Sequence, residues 1–218
     1  MKRTHFRNLF LTSVSILSLS VPAFAVNPTS VKITLYKIGV SASADCSSPT
    51  WVASSTDGVE VDFMTGATLG SPFVEDGTYP CIMLQMSDII KFKSSATTGS
   101  CTADTEYTID VCRSGSGTFT ALSSDGTFAS SASCTGSDSN PANDRPVLFL
   151  STASTNTGGG GSAFDKPANA TSTTNGFTLN GALTVSGSGS GTFVVNFDDK
   201  IDGSNASCDV QPPVFGFR

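Results

Sequence analysis

From residue 31 onward, apolar positions alternate with polar ones instead of recurring at three and four, which is the period of half-buried strands. In VKITLYKIGV, Val31, Ile33, Leu35 and Lys37 fall on one face, with Lys32, Thr34, Tyr36 and Ile38 on the other. VEVDF alternates Val59, Val61 and Phe63 with Glu60 and Asp62. Ile82, Leu84 and Met86 share a face opposite Cys81, Met83 and Gln85, and that two-sided apolar stretch predicts a central strand. Further strands are expected at EYTIDVC, GTFTAL, PVLFLST, GFTLNGALTVS and GTFVVNFD, with PVFGF as a closing edge. Gly, Ser, Asp and Pro turns separate them, so the chain is expected to be all-β. The expected architecture is an antiparallel two-sheet β-sandwich with long Ser/Gly-rich loops and disulfides. The strands at 177–185 and 192–198, joined by SGSGSG, read as a hairpin.

Two stretches interrupt this rhythm. Residues 94–136 hold three cysteines and few large apolar side chains, and read as a disulfide-pinned insertion. Residues 151–174 contain TGGGGS and ANATSTT, a composition that buries too little to order itself, and read as a flexible loop. Residues 26–218 are then a single domain. Glycine-rich SGSGTF occurs twice, at Ser114 and at Ser188, as turn chemistry that starts a strand.

The first 25 residues read as a signal peptide. Lys2, Arg3 and Arg7 precede the apolar run Leu9 to Val21, and Ala23-Phe24-Ala25 fits a signal-peptidase site. The run is shorter than a membrane span, so no span is expected after cleavage at Val26. An extracytoplasmic location follows, whether secreted, periplasmic or at the cell surface. Removing those three cations from 12 leaves 9 against 18 carboxylates, a net charge of −9. That sign disfavours nucleic acid and anionic lipid partners.

Cleavage also removes His5, the only histidine. Histidine-based nucleophile activation and histidine zinc sites go with it. All six cysteines (Cys46, Cys81, Cys101, Cys112, Cys134, Cys208) lie in the exported part, and none is spaced as Cys-x-x-Cys. Up to three disulfides are expected, with 15 possible connectivities. The favoured set is Cys46–Cys81, Cys101–Cys112 and Cys134–Cys208.

DGTYPC, Asp76 to Cys81, has the tyrosine and cysteine of an immunoglobulin corner, where the tyrosine hydroxyl bonds upstream backbone. Trp51 lies too close to Cys46 for that family, and Pro80 removes a ladder donor, so that strand must start at an edge or bulge. VEVDFMTGATLGSPFVEDGTYPCIMLQM and FTLNGALTVSGSGSGTFVVNFDD instead resemble an uncharacterised group of secreted bacterial β-sandwich domains, distantly similar to prealbumin-like surface modules. The resemblance implies the fold and brings no catalytic residues.

Two sites are candidates. Asp198, Asp199, Asp202 and Asn205 surround Gly203 with oxygen donors and could take calcium; no other cofactor is expected. Trp51 is a candidate ligand contact. A glycosidase needs only two carboxylates and would survive the missing histidine, but aromatic sugar platforms are scarce. The expected function is that of an exported, non-catalytic binding or adhesion component with a carbohydrate or protein ligand. A fibre or pilus-like subunit is the structural alternative.

Overall fold

A computed structural model of the chain describes residues 25–65, 74–115, 117–158, 161–187 and 193–217. The expected signal peptide, Ala25 apart, lies outside the described residues.

The long strands are β1 (Pro28–Ser41), β2 (Thr50–Asp62) and β4 (Cys81–Ser94), the last preceded by the short β3 (Gly77–Tyr79). Pro80 separates β3 from β4 while its carbonyl accepts Thr152 N–H, so the proline sits where a donor is not needed. The remaining strands are β5 (Glu106–Asp110), β6 (Thr118–Leu122), β7 (Phe128–Ser133), β8 (Val147–Ser151), β9 (Phe177–Asn180), β10 (Leu183–Val185), β11 (Phe193–Asn196), β12 (Ile201–Asp202), β13 (Asp209–Val210) and β14 (Val214–Phe217). Eight of these strands form one sheet, in the order β11-β14-β9-β8-β4-β1-β2 with β5 added on β4.

The chain is thus almost all β, as expected, but its main sheet is a curled half-barrel instead of two facing sheets. Nor is it purely antiparallel: β9 runs parallel to both β8 and β14. A parallel pair needs a crossover of a dozen or more residues, and residues 152–176 supply it. That connection is the stretch expected to be a flexible loop. It is anchored by a 3-10 turn at Gly161–Phe164 whose Ala163 and Phe164 are buried in the main core. The expected late hairpin does not form. Gly181, at φ +88°, breaks the run after β9, so β10 pairs with β3 and β11 with β14.

Bulges curl the sheet and reset its faces. Tyr36 is an extra residue in β1 against β4, between the pairs Leu35–Met86 and Lys37–Gln85. The alternation changes parity there, so Ile38 and Val40 pack with Ile33 and Leu35 in the main core. A strict two-residue period had put Ile38 on the other face. On β4, Ile82, Leu84 and Met86 face that core and Cys81 and Met83 face away, as the pattern predicted.

Three disulfides join Cys46–Cys81, Cys101–Cys208 and Cys112–Cys134. The first was expected; the other two correct the expected pairing. Cys101 and Cys112 flank the five-residue β5, which is extended on β4 rather than folded back as half of an arm. Strand rise alone puts the ends of β5 roughly 15 Å apart, well beyond the reach of one bridge. Cys112 instead meets the strand leaving the β6–β7 hairpin, and Cys101 meets the C-terminal segment. Residues 94–136 therefore contribute a strand to the main sheet as well as a hairpin.

Candidate functional site

The inside of the half-barrel is lined by Ile33, Leu35, Leu84, Met86, Leu148 and Phe215 and encloses a cavity of about 680 Å³. Its opposite wall is the segment Ala206–Pro213, held by Cys101–Cys208. Arg113, Asp138 and Asp110 line its polar end. Arg113 and Asp138 form an ion pair on the surface. A concave, mostly apolar space of this size with a few polar groups is the usual form of a small-molecule site.

The polar end coincides with a fork in the sheet. One edge of β4 pairs with β8 over Cys81–Gln85 and with β5 over Ile89–Lys93. Between them, β4 bulges: Ile33 pairs with Ile90 and Leu35 with Met86, leaving three residues of β4 opposite Thr34. Ser87 Oγ accepts Ile89 N–H within that bulge. Bulges of this kind re-aim a side chain, and here the side chain is Asp88.

The backbone at the fork draws two more acids in. Asp88 N–H donates to Asp144 C=O, and Val111 N–H donates to Asp88 C=O. Asp110 and Asp144 thereby flank Asp88. Asn143 donates to the Tyr36 hydroxyl at 3.0 Å and the Arg145 guanidinium lies 3.9 Å from the Tyr36 ring centre, so the bulged tyrosine grips both neighbours of Asp144. Just past the Cys112–Cys134 bridge, Thr135 donates its amide (2.7 Å) and hydroxyl (3.0 Å) to the Asp144 carboxylate. Gly136, at φ +81°, has no room for a side chain: a Cβ there would collide with Asp110 Oδ2 and the Ala142 backbone.

Asp88 is fully buried and Asp110 nearly so, at 0% and 1% exposure. Both oxygens of Asp88, and Oδ2 of Asp110, accept no hydrogen bond among the described residues. Burial above all, and then the Asp110 and Asp144 charges, push the Asp88 carboxyl up to about 8 from an ordinary 3.8. Oxygens of Asp88 and Asp144 and the Cys112 sulfur lie within 4.8 Å of one another, but that sulfur is committed to Cys134 and offers no thiolate.

No family model, curated protein or solved structure matches this chain. The residues themselves therefore carry the functional reading.

The candidates from the sequence lie elsewhere. Asp198, Asp199 and Asn205 are exposed on the turns around β12, and Asp202 accepts from Ser204 N–H and Gln211 Nε2. The Ser204 hydrogen bonds hold the Asp202 carboxyl below its ordinary range. Oxygens of Asp198, Asp199 and Asp202 are not gathered within 4.8 Å of one another. Trp51 is half-buried on the face away from the cavity: its indole N–H donates to Gly126 C=O at 2.8 Å and its ring meets Phe128 edge-on. Asp88, Asp110 and Asp144 were not singled out by their sequence. The one available signal was an acid at Asp88 in an otherwise apolar central strand.

Proposed function

We propose that this is an exported, non-catalytic binding protein of a bacterial surface or its surroundings, whose half-barrel cavity takes a small apolar molecule. The cavity of about 680 Å³ carries this reading, since a sheet built only for stability would fill the space with side chains. Three disulfides suit an oxidising, extracytoplasmic location. Among the described residues no helix is long and apolar enough to cross a membrane. The resemblance to secreted, prealbumin-like surface modules is part of the same reading.

A small apolar ligand takes the place of the carbohydrate or protein first expected, because aliphatic and phenyl groups make up most of the lining beside the polar end at Arg113, Asp138 and Asp110. A fibre subunit would need an open, flat edge for a partner's strand. The β2 edge is broken by Gly58, at φ +76°, and carries Asp57 and Glu60, devices that discourage edge pairing.

The test is saturable uptake of an environment-sensitive apolar dye or a fatty acyl probe, repeated with Leu84→Trp, which places an indole inside the cavity. Tight 1:1 binding that Leu84→Trp abolishes while the fold persists supports the proposal. Failure of any apolar probe to bind, with Leu84→Trp as destabilised as an overpacked core residue, by about 1–3 kcal/mol, would show the space is not a ligand site.

A further inference from the structure

Two carboxyls meet at the fork out of reach of water. Asp88 is 0% exposed and neither of its oxygens accepts a hydrogen bond among the described residues; nor does Oδ2 of Asp110. The two side chains are nevertheless in hydrogen-bond contact. Ionised carboxyls are acceptors only, so such a contact is a hydrogen bond only when a proton lies between them. We propose that Asp88 and Asp110 share one proton, and that this proton latches β5 to β4 as a pH-sensitive element, firmest in acid and released in alkali.

The surroundings leave the pair no other partner. Asp110 Oδ1 accepts Cys112 N–H at 3.1 Å, which leaves Oδ2 for the proton. The chain closes over Oδ2 at Gly136, where a Cβ would come within 2.5 Å of it. Asp144, from the segment before β8, adds a second negative charge, its own oxygens taken by Thr135. Tyr36, from β1, has its hydroxyl on Asn143. The charged groups on the packed segments are engaged elsewhere. Arg113 pairs with Asp138, whose Oδ1 accepts Asp110 N–H, and Arg145 lies on the Tyr36 ring. Lys32 and Lys91 pair with Glu60, Lys37 stands over Trp51, and Lys93 lies opposite Glu106 at the far end of β5. A carboxyl that neither water nor a cation serves is relieved by keeping its proton.

The direction of the pH dependence follows. Asp88 ionises above its ordinary 3.8 in the unfolded chain, whereas burial, then the Asp110 and Asp144 charges, keep it protonated to about 8 in the fold. The stability from the pair is therefore complete below pH 4, declines between pH 4 and 8, and levels off above 8. Above 8 the fork itself gains a charge, and Asp88 then repels Asp110 and Asp144 in a site that water does not screen. The contacts this strains are Val111 N–H to Asp88 C=O and Asp88 N–H to Asp144 C=O. The inference is independent of what fills the cavity.

The experiment is infrared spectroscopy of the carboxyl stretch of the disulfide-intact exported chain from pH 5 to 10, with urea unfolding and amide exchange over the same range. One protonated carboxyl is expected at pH 7 and none at pH 10. Asp88→Asn, whose amide can donate to Asp110 Oδ2 in the proton's place, should lose the band and keep the fold. Relative to that variant, the parent's unfolding constant should rise about tenfold for each pH unit between 5 and 7. The Asp88 and Val111 amides of the parent should lose protection above pH 8. Asp110→Asn should move loss of the band to lower pH, because one like charge is gone. Asp165→Asn, at a carboxyl that burial also raises, should leave the band in place. Absence of a protonated carboxyl in the parent at pH 7, or its persistence in Asp88→Asn, overturns the proposal. A band unmoved by Asp110→Asn overturns the sharing. Unfolding constants that run parallel with pH in parent and Asp88→Asn, or amide protection that persists above pH 8, overturn the latch. The parent's own titration decides even where a variant fails to fold.

Discussion

Removing one disulfide at a time distinguishes the observed bridges from the pairing that sequence order favours. Cys101–Cys208 spans 107 residues and Cys112–Cys134 spans 22. On the chain-entropy account, a bridge stabilises by limiting the unfolded chain, and more so for a longer loop. The longer bridge is then worth about 5 kcal/mol and the shorter about 3 kcal/mol. The double variant Cys101→Ser/Cys208→Ser should lower urea-unfolding stability more than Cys112→Ser/Cys134→Ser, by roughly 1–2 kcal/mol. Each variant should titrate no free thiol under denaturing conditions, because each removes both halves of one bridge. Under the rival pairing, Cys101–Cys112 with Cys134–Cys208, either double variant would strand two sulfurs. The long bridge also holds Ala206–Pro213 over the cavity, so its removal should increase binding of an apolar dye. Two free thiols in Cys101→Ser/Cys208→Ser, or a smaller loss than in Cys112→Ser/Cys134→Ser, would refute the topology of the C-terminal segment.

Two other expectations concern the corners of the sheet. Tyr79 donates its hydroxyl to Glu75 C=O at 2.9 Å, and Tyr79→Phe should lower stability by about 1 kcal/mol in thermal unfolding without moving the dye affinity of the cavity. Asp45, beside Cys46, is held at about 2 against an ordinary 3.8, first by the Ser47 and Ser43 hydroxyls and then by the Ser47 amide. Its folded value is depressed, so its contribution is present above pH 4 and is lost as pH falls toward 2. Solvent contact discounts that contribution to about 1 kcal/mol. Acid unfolding of Asp45→Asn should therefore show a shallower loss between pH 4 and 2, and an unchanged slope would remove Asp45 from the account.

Much of the fold was legible where one physical demand dominated. Ile82, Leu84 and Met86 against Cys81 and Met83 marked a central strand because both of its faces are buried. Tyr79 revealed its corner because a half-buried phenol beside a turn finds a backbone acceptor upstream, here Glu75 C=O. The bulge at Tyr36 had no comparable signal, since an extra residue changes register without changing composition, and Ile38 was assigned to the wrong face. The parallel β8–β9 pair was hidden because its crossover carries few large apolar residues, Phe164 among them. The carboxylate cluster was the least legible feature. Asp88, Asp110 and Asp144 lie far apart in the chain and meet only because two strands share one edge of β4.

That shared edge ties the cluster to the architecture. Where β8 gives way to β5, the backbone of Met86 and Asp88 loses its regular ladder, and Pro146, Asp144 and Val111 supply the missing partners. Sheet continuity thus requires the 144–146 and 110–111 segments to close on the bulge, but it requires only their backbones. Asparagine or an apolar residue at Asp88 would serve the same bonds without a carboxyl that burial and its acidic neighbours push up to about 8. The acids at the fork therefore exceed what the backbone of the sheet demands.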